Sequence, residues 1–273
     1  MTTAETVVPP VVRRPERTSR RSRMATASAP VALTLGLVGL WWATALVLDS
    51  SVFPDPATAV QRLLVNLESA RFLRSVTGTI VRLAISYSLV VIVGAAIGFA
   101  LGLSRFWSDA VSPLLYAIYS IPKVVLFPLF LLFLGLGATS QIAFAFFSGV
   151  LPMILMMTNA AAAAPRLPLK LAASLRMTRA AVIRKIVVPN ALPAFTSALR
   201  LTFGLTFLGL LIVEMFSGVS GLGYELLRNI PLARMGDILG EVVLVVVMAL
   251  VPVTALRALE GRIHRRYSTG GAK

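Results

Sequence analysis

Enzymatic chemistry needs nucleophiles, acid–base pairs or clustered metal ligands, and this sequence supplies few of them. It holds no cysteine, which excludes disulfides, thiolate catalysis and cysteine-held metals. The single histidine, His264, stands among Arg262, Arg265 and Arg266 near the C-terminus, the setting of a surface residue rather than of a ligand or general base. The 11 carboxylates are scattered, so a membrane-enzyme reading finds no cluster to build on. No Gly-x-x-x-x-Gly-Lys-[Ser/Thr] phosphate loop occurs, and the glycine-rich stretch from Ser217 to Gly223 lacks the lysine. The chain is therefore not expected to bind ATP itself, and no cofactor or metal is expected in it.

What stands out instead is charge in apolar company. Lys123 follows Pro122 and is the sole charge between Ala110 and Pro165. An ionisable group in such a run faces a cavity, a partner or an interface, so Lys123 either attracts an anionic solute or snorkels to water. Glu214 ends a later apolar run, where it either pairs with a basic residue or caps an outer gate. Arg200, near the start of that run, reads as a topology anchor. Upstream lies a basic series, Arg166, Lys170, Arg176, Arg179, Arg184 and Lys185, alternating with apolar residues and bounded by Pro165, Pro168 and Pro189. Its spacing predicts one or two short amphipathic helices in water or at an interface.

The elements that position these residues follow from composition. Hydrophobic residues make up 57% of the chain and charged residues 14%, against about 25% charged in soluble domains. The net charge of +15 is carried in clusters between apolar runs, as topology signals are, and not interleaved with stacking aromatics as in nucleic-acid binders. The fold class expected is an all-α membrane protein of six transmembrane helices. Residues 1–30, with Pro9, Pro10, Pro15 and six arginines from Arg13 to Arg23, read as a disordered basic tail. Residues 31–50 form the first span: the uncharged run from Ala25 to Leu48 outlasts a signal core, and Trp41-Trp42 suits a retained helix.

Residues 51–78 read as an extracytoplasmic segment, broken at Phe53-Pro54-Asp55-Pro56, with Asp55 or Thr58 capping a short helix through Arg62 and Glu68. The core, 79–260, holds the remaining spans. The second lies between Arg82 and Arg105, where Gly94, Gly98 and Gly102 give one small-residue face for close helix packing. Spans at 113–134 and 138–158 are divided by Gly135-Leu136-Gly137, and Pro113, Pro122 and Pro128 should kink or interrupt the former. Spans at 194–216 and 240–258 follow, then a tail at 261–273. With six spans, the N-terminal arginines, the 159–190 loop and the basic C-terminus share one side, while Arg62, Arg71, Arg74, Arg228 and Arg234 lie on the other. The positive-inside rule makes both termini and that loop cytoplasmic in a multi-pass cell-membrane protein.

The loop core runs from Lys170 through Ala172, Leu175, Arg176, Arg179, Arg184 and Lys185 to Pro189, followed by Ala191-Leu192-Pro193. It resembles the EAA loop of binding-protein-dependent ABC importer permeases, which has Glu-Ala-Ala, a glycine six residues on and a proline thirteen further. Two signature positions differ: Lys170 replaces the glutamate and Arg176 the glycine. A non-glycine residue entering positive φ costs about 1 kcal/mol or more, so the two short helices are expected to join by a different turn or nearly to fuse. Further segments are similar to the nitrate, sulfonate and taurine branch: Phe53-Pro54-Asp55-Pro56 with Val60, the run Gly94 to Ser104, Ser112-Pro113-Leu114, Ile121-Pro122, Pro128, Phe133 to Gly137, Glu214-Met215 and Ser220 to Tyr224.

The resemblance implies a type I importer permease fold in a bacterial inner membrane, with no catalysis in this chain. It implies two copies of a cytoplasmic ABC ATPase carrying ATP and Mg, a second copy of this permease, an extracytoplasmic solute-binding protein and surrounding lipid; no nucleic acid is expected. The 168–187 segment would dock on the ATPase. Lys123, Pro122, Glu214 and Met215 would line or border the solute path, and Gly218, Gly221 and Gly223 an outer loop or gate. The solute would be small, a sulfonate or nitrate among the candidates. The competing reading is an ion-coupled carrier or channel, which transports without an ATPase; carriers often show inverted repeats, and none is visible here.

Overall fold

The computed structural model describes residues 20–48, 53–217 and 220–268, with side chains described for 32–48, 53–217 and 220–263. Among the described residues every regular element is a helix. The chain divides into two units, Met1–Pro56 and Ala57–Lys273.

The first unit contains α1 (Arg20–Leu48). Its apolar stretch Ala32–Leu48 is shorter than the helices long enough to cross a membrane, and Trp41 Nε1 donates to the Pro54 carbonyl at 3.1 Å. The helix begins at Arg20, within the stretch read from sequence as a basic tail. No glycine or proline interrupts residues 20–29, and the arginines, alanines and methionine there are good helix formers. Residues 1–19 lie outside the described part.

Among the described residues of the second unit, four helices are long and apolar enough to cross a membrane, and a bent pair counts as a fifth if its two helices are one span. The unit opens with α2 (Pro56–Glu68), which starts directly after Asp55 and buries Ala59 and Leu63. The first long helix runs Ala70–Gly102 as α3 (Ala70–Leu89), a π-helical turn at Val90–Gly94 and α4 (Ala95–Gly102). It starts well before Arg82 because Phe72, Val76, Thr79 and Leu83 already form a buried face at helical spacing. The bent pair is α5 (Arg105–Ser120) and α6 (Lys123–Leu134), which meet at 89° across Ile121-Pro122. Pro113 and Pro128 sit inside these helices; only Pro122 marks the break. Gly135 and Gly137, at φ +72° and +143°, turn the chain into α7 (Ala138–Ala162).

Helix α7 is the axle of the unit. Its most apolar window is 72% buried, whereas that of the last long helix is 0% buried. The glycine face forecast for the second span packs on it: a Cβ at Gly98 would run into the Ile154 carbonyl, and Thr158 Oγ1 donates to the Gly98 carbonyl at 3.1 Å. After α7 come α8 (Arg166–Ser174) and α9 (Arg179–Val182), a π-helical turn at Ile183–Val187, and α10 (Val188–Ser217). Residues Arg179–Ser217 form one continuous helix. Short α11 (Leu222–Asn229) and long α12 (Met235–Ser268) complete the fold. Aromatic pairs knit α6 to α7, with Phe127 and Phe130 each edge-on to Phe144.

Candidate functional site

At the N-terminal end of the continuous helix, the basic series forms α8 and α9 as its periodicity requires. Ala172 is buried at 2% exposure, whereas Leu167, Leu171 and Leu175 stand open to solvent at 70%, 56% and 74%. Spaced four apart, they form one apolar ridge along α8. Lys170, Arg176, Arg179, Arg184 and Lys185 are exposed around it, and Pro189 lies half-buried in the first turn of α10. Among the described residues, none of these five cations has a carboxylate within ion-pair distance.

The junction between α8 and α9 overturns one expectation. Arg176 takes φ +49°, the conformation a glycine would favour, and the helices neither fuse nor use a different turn. The Met177 amide donates to the Ala172 carbonyl and the Arg176 amide to the Ala173 carbonyl, both at 3.0 Å. That is the paired-bond helix stop usually closed by glycine. The two carbonyls it satisfies offset the left-handed cost of about 1 kcal/mol. Thr178 then caps α9, accepting from the Ala181 amide at 3.3 Å.

Lys123 sits at the break of the bent pair. Its Nζ donates to the Ser148 carbonyl at 2.9 Å and lies 4.6 Å from the centre of the Tyr119 ring. The partner is explained by Pro152: proline has no N–H, so the carbonyl four residues earlier, that of Ser148, loses its helical donor. The ammonium of α6 replaces the missing hydrogen bond in α7.

At the far end of α10, Glu214 is fully buried in a polar knot. Arg82 Nη1 lies 2.6 Å from its Oε1, Thr79 Oγ1 donates to it at 2.8 Å and the Gly223 amide donates to Oε2 at 3.2 Å. The Leu222 amide donates to Thr79 Oγ1 at 2.9 Å, and Arg82 Nη2 donates to Ser220 Oγ at 2.8 Å. From α7, Gln141 Nε2 donates to Ser217 Oγ at 2.7 Å. Gly221 adopts φ +120°, and a Cβ there would meet the Glu214 carboxylate. Only a glycine lets the loop close over the acid.

The structure therefore joins Glu214 to Gly221 and Gly223, with Met215 half-buried beside them; Gly218 lies outside the described residues. Lys123 and Pro122 are not part of this knot. Ser148 and Gln141 mark the two places on α7, about 10 Å apart along the helix. In the sequence Arg82 marks only the edge of an uncharged run, and nothing local shows that it reaches Glu214, 132 positions away. Arg200 likewise has a partner that sequence does not reveal, Glu260 at 3.2 Å, which also accepts from Ser197 Oγ. Two further buried acids tie α11 to α3 and to α12. Glu225 pairs with Arg228 at 2.7 Å, and Glu241 accepts from Asn229 Nδ2 at 2.8 Å.

Known proteins share this arrangement of helices. The fold is similar to that of the MetNI methionine ABC transporter in inward-facing conformations, with a TM-score of 0.58 at 20% identity over 71% of this chain and 95% of that one. A second crystal form of it gives a TM-score of 0.59. In sequence, the chain is 24% identical to the taurine transport system permease protein TauC of Escherichia coli (strain K12), covering 86% of this chain and 90% of that protein. It is 24% identical to the putative aliphatic sulfonates transport permease protein SsuC of Bacillus subtilis (strain 168), over 80% and 79% of the two chains. It is 27% identical to the nitrate import permease protein NrtB of a Synechocystis strain, over 54% and 53%. The family model for the binding-protein-dependent transport system inner membrane component matches residues 90–269, from the π-helical turn of the first long helix to the end of α12, and the chain belongs to that family.

Proposed function

We propose that this chain is one of two identical membrane-spanning subunits that enclose a solute path, driven by separate ATPases that grip α8 and α9. The observation that carries the reading is the uncovered ridge of Leu167, Leu171 and Leu175, ringed by cations without acidic partners. An apolar stripe that a folded chain leaves in water marks a contact surface, and the surrounding charge favours a partner with an acidic rim. ATP and Mg belong to that partner. By the positive-inside rule the ridge and both termini face the cytoplasm, and the Glu214 knot faces outward, where a solute-binding protein delivers its cargo.

The continuous helix Arg179–Ser217 gives the coupling a physical route. One end carries the gripped cations and the other carries Glu214, Gly221 and Gly223, so closure of the ATPases moves the outer loop through one stiff rod about 58 Å long. The path then alternates between two packed arrangements. Pro122 supplies the hinge of the bent pair, and Lys123 sets positive charge beside the path. The solute is a small anion of the sulfonate or nitrate kind, in keeping with the proteins this chain is similar to.

The test is affinity purification of the tagged chain in mild detergent, with identification and stoichiometry of what accompanies it. A nucleotide-binding ATPase in equal copy number, lost when residues 168–187 are scrambled, is the expected result. A stable oligomer without any ATPase would sink the reading and favour a channel or carrier.

A further inference from the structure

The end of the unit opposite the basic ridge holds a polar feature that the Glu214 knot does not use. A cleft of about 360 Å3 opens there, lined by Arg71, Arg74 and Ser75 of α3, by Ser220, and by Tyr224 and Glu225 of α11. The one acid in it is already held. Glu225 is buried, Ser75 Oγ donates to its Oε1 at 3.0 Å, and Arg228 Nη2 lies 2.7 Å from its Oε2. Arg71 is only loosely tied to the same acid, at 3.6 Å, with its side chain 58% exposed. Arg74 is exposed and makes no ion pair among the described residues. One carboxylate therefore stands against three guanidinium groups.

The cleft also has oriented donors. Ser220 Oγ accepts from Arg82 Nη2 at 2.8 Å, which leaves its own hydroxyl proton free to point elsewhere. The Glu214 knot thus fixes the position of a donor in the neighbouring cleft. Arg71 and Arg74 stand in the first turns of α3, where unpaired backbone amides add to the positive potential of the guanidinium groups.

We propose that this cleft binds a small oxyanion of the size and charge of a sulfonate or nitrate, with Arg74 and Arg71 as its guanidinium partners and Ser220 and Tyr224 as hydroxyl donors. The planar fork of an arginine matches the paired oxygens of such a group. The cleft, near the lower end of small-molecule sites in volume, has room for an oxyanion of a few heavy atoms together with hydrating water. The inference rests on the proposed function for the choice of oxyanion and for making this the outward face, where the cleft is the first contact a delivered solute makes with the chain.

The experiment is saturation-transfer NMR with methanesulfonate on the purified full chain in detergent at low salt, a method that detects weak binding. The wild-type chain should give a transfer signal that nitrate competes away. Arg74→Met should weaken binding about tenfold and Arg71→Met several-fold, with Arg74→Lys in between because it keeps the charge and loses the fork. Arg105→Met, which removes the same charge from the opposite end, should bind as wild type does. Unchanged thermal unfolding midpoints show that each variant is folded. No signal from the wild-type chain, or equal binding by Arg74→Met, overturns the proposal. If the wild-type chain binds no methanesulfonate while Arg74→Met abolishes uptake in cells, the arginines meet carboxylates of a docking protein instead, and the proposal also fails. Co-purification of an ATPase is independent of each of these outcomes, so the anion site and the permease reading fail separately.

Discussion

The two ends of the continuous helix Arg179–Ser217 handle charge in opposite ways. At the α8–α9 end, Lys170, Arg176, Arg179, Arg184 and Lys185 stand in water without acidic partners, around a ridge of exposed leucines. At the other end, Glu214 and Glu225 are buried and paired, and the loop from Ser220 to Gly223 is bonded to Glu214 and Thr79. The first end is left unsatisfied within the chain, the mark of a surface completed by another molecule. At the second, the Glu214 carboxylate is satisfied internally and holds its loop in one arrangement, while Arg74 nearby stays exposed and unpaired among the described residues. One helix thus links an adaptable surface to a fixed one.

The sharpest way to break the contrast is at the fixed end. Glu214→Ala leaves the largely buried side chain of Arg82 without its acid and should cost about 3 kcal/mol, seen as a large fall in the thermal unfolding midpoint in detergent. The double variant Arg82→Met with Glu214→Met should recover much of that loss, since a buried pair is often replaceable by apolar residues. A Glu214→Ala chain as stable as wild type would show that the knot contributes little.

The adaptable end should respond in the reverse sense. Leu171→Asp with Leu175→Asp should change the chain's own stability by no more than about 0.5 kcal/mol. The same change should weaken co-purification of an ATPase by about 2 kcal/mol or more. A clear loss of stability would mean that the ridge packs within this chain and is not a partner's surface.

Between the ends, Lys123 and Pro152 make a smaller test. Lys123→Met should cost about 1.5 kcal/mol in the wild-type background. In a Pro152→Ala background, where α7 regains the amide for the Ser148 carbonyl, it should cost close to nothing. Equal costs in both backgrounds, measured by thermal unfolding, would remove the carbonyl from the account of Lys123. The smallest effect is at Arg176, where Arg176→Gly relieves left-handed strain but adds unfolded-state freedom. The net gain should be about 0.5 kcal/mol, and a loss would mean that the arginine side chain contributes to the turn.

Legibility in the sequence followed how local each feature is. The apolar run from Ala138, the glycine face of Gly94, Gly98 and Gly102, the break at Pro122 and the amphipathic α8 all depend on residues within a few positions of one another. Spacing reveals such features. The turn at Arg176 runs against its residue type: two good backbone bonds outweigh a missing glycine when the side chain is exposed. The start of the first long helix at Ala70 was hidden because Arg71, Arg74 and Arg82 look like the end of a span when their neighbours are unknown.

The sequence by itself determined that this chain lives in a membrane, which apolar runs become its long helices, that the chain breaks at Pro122, and that α8 and α9 carry clustered positive charge. Those properties are sums over local residues and their solvent. Tertiary structure alone decided which charges are neutralised. Arg82 meets Glu214 across 132 positions, Lys123 finds a carbonyl that Pro152 leaves without a donor, and Arg200 meets Glu260. A buried charge is stable only beside a partner, and in a helical bundle packing brings that partner from a different helix.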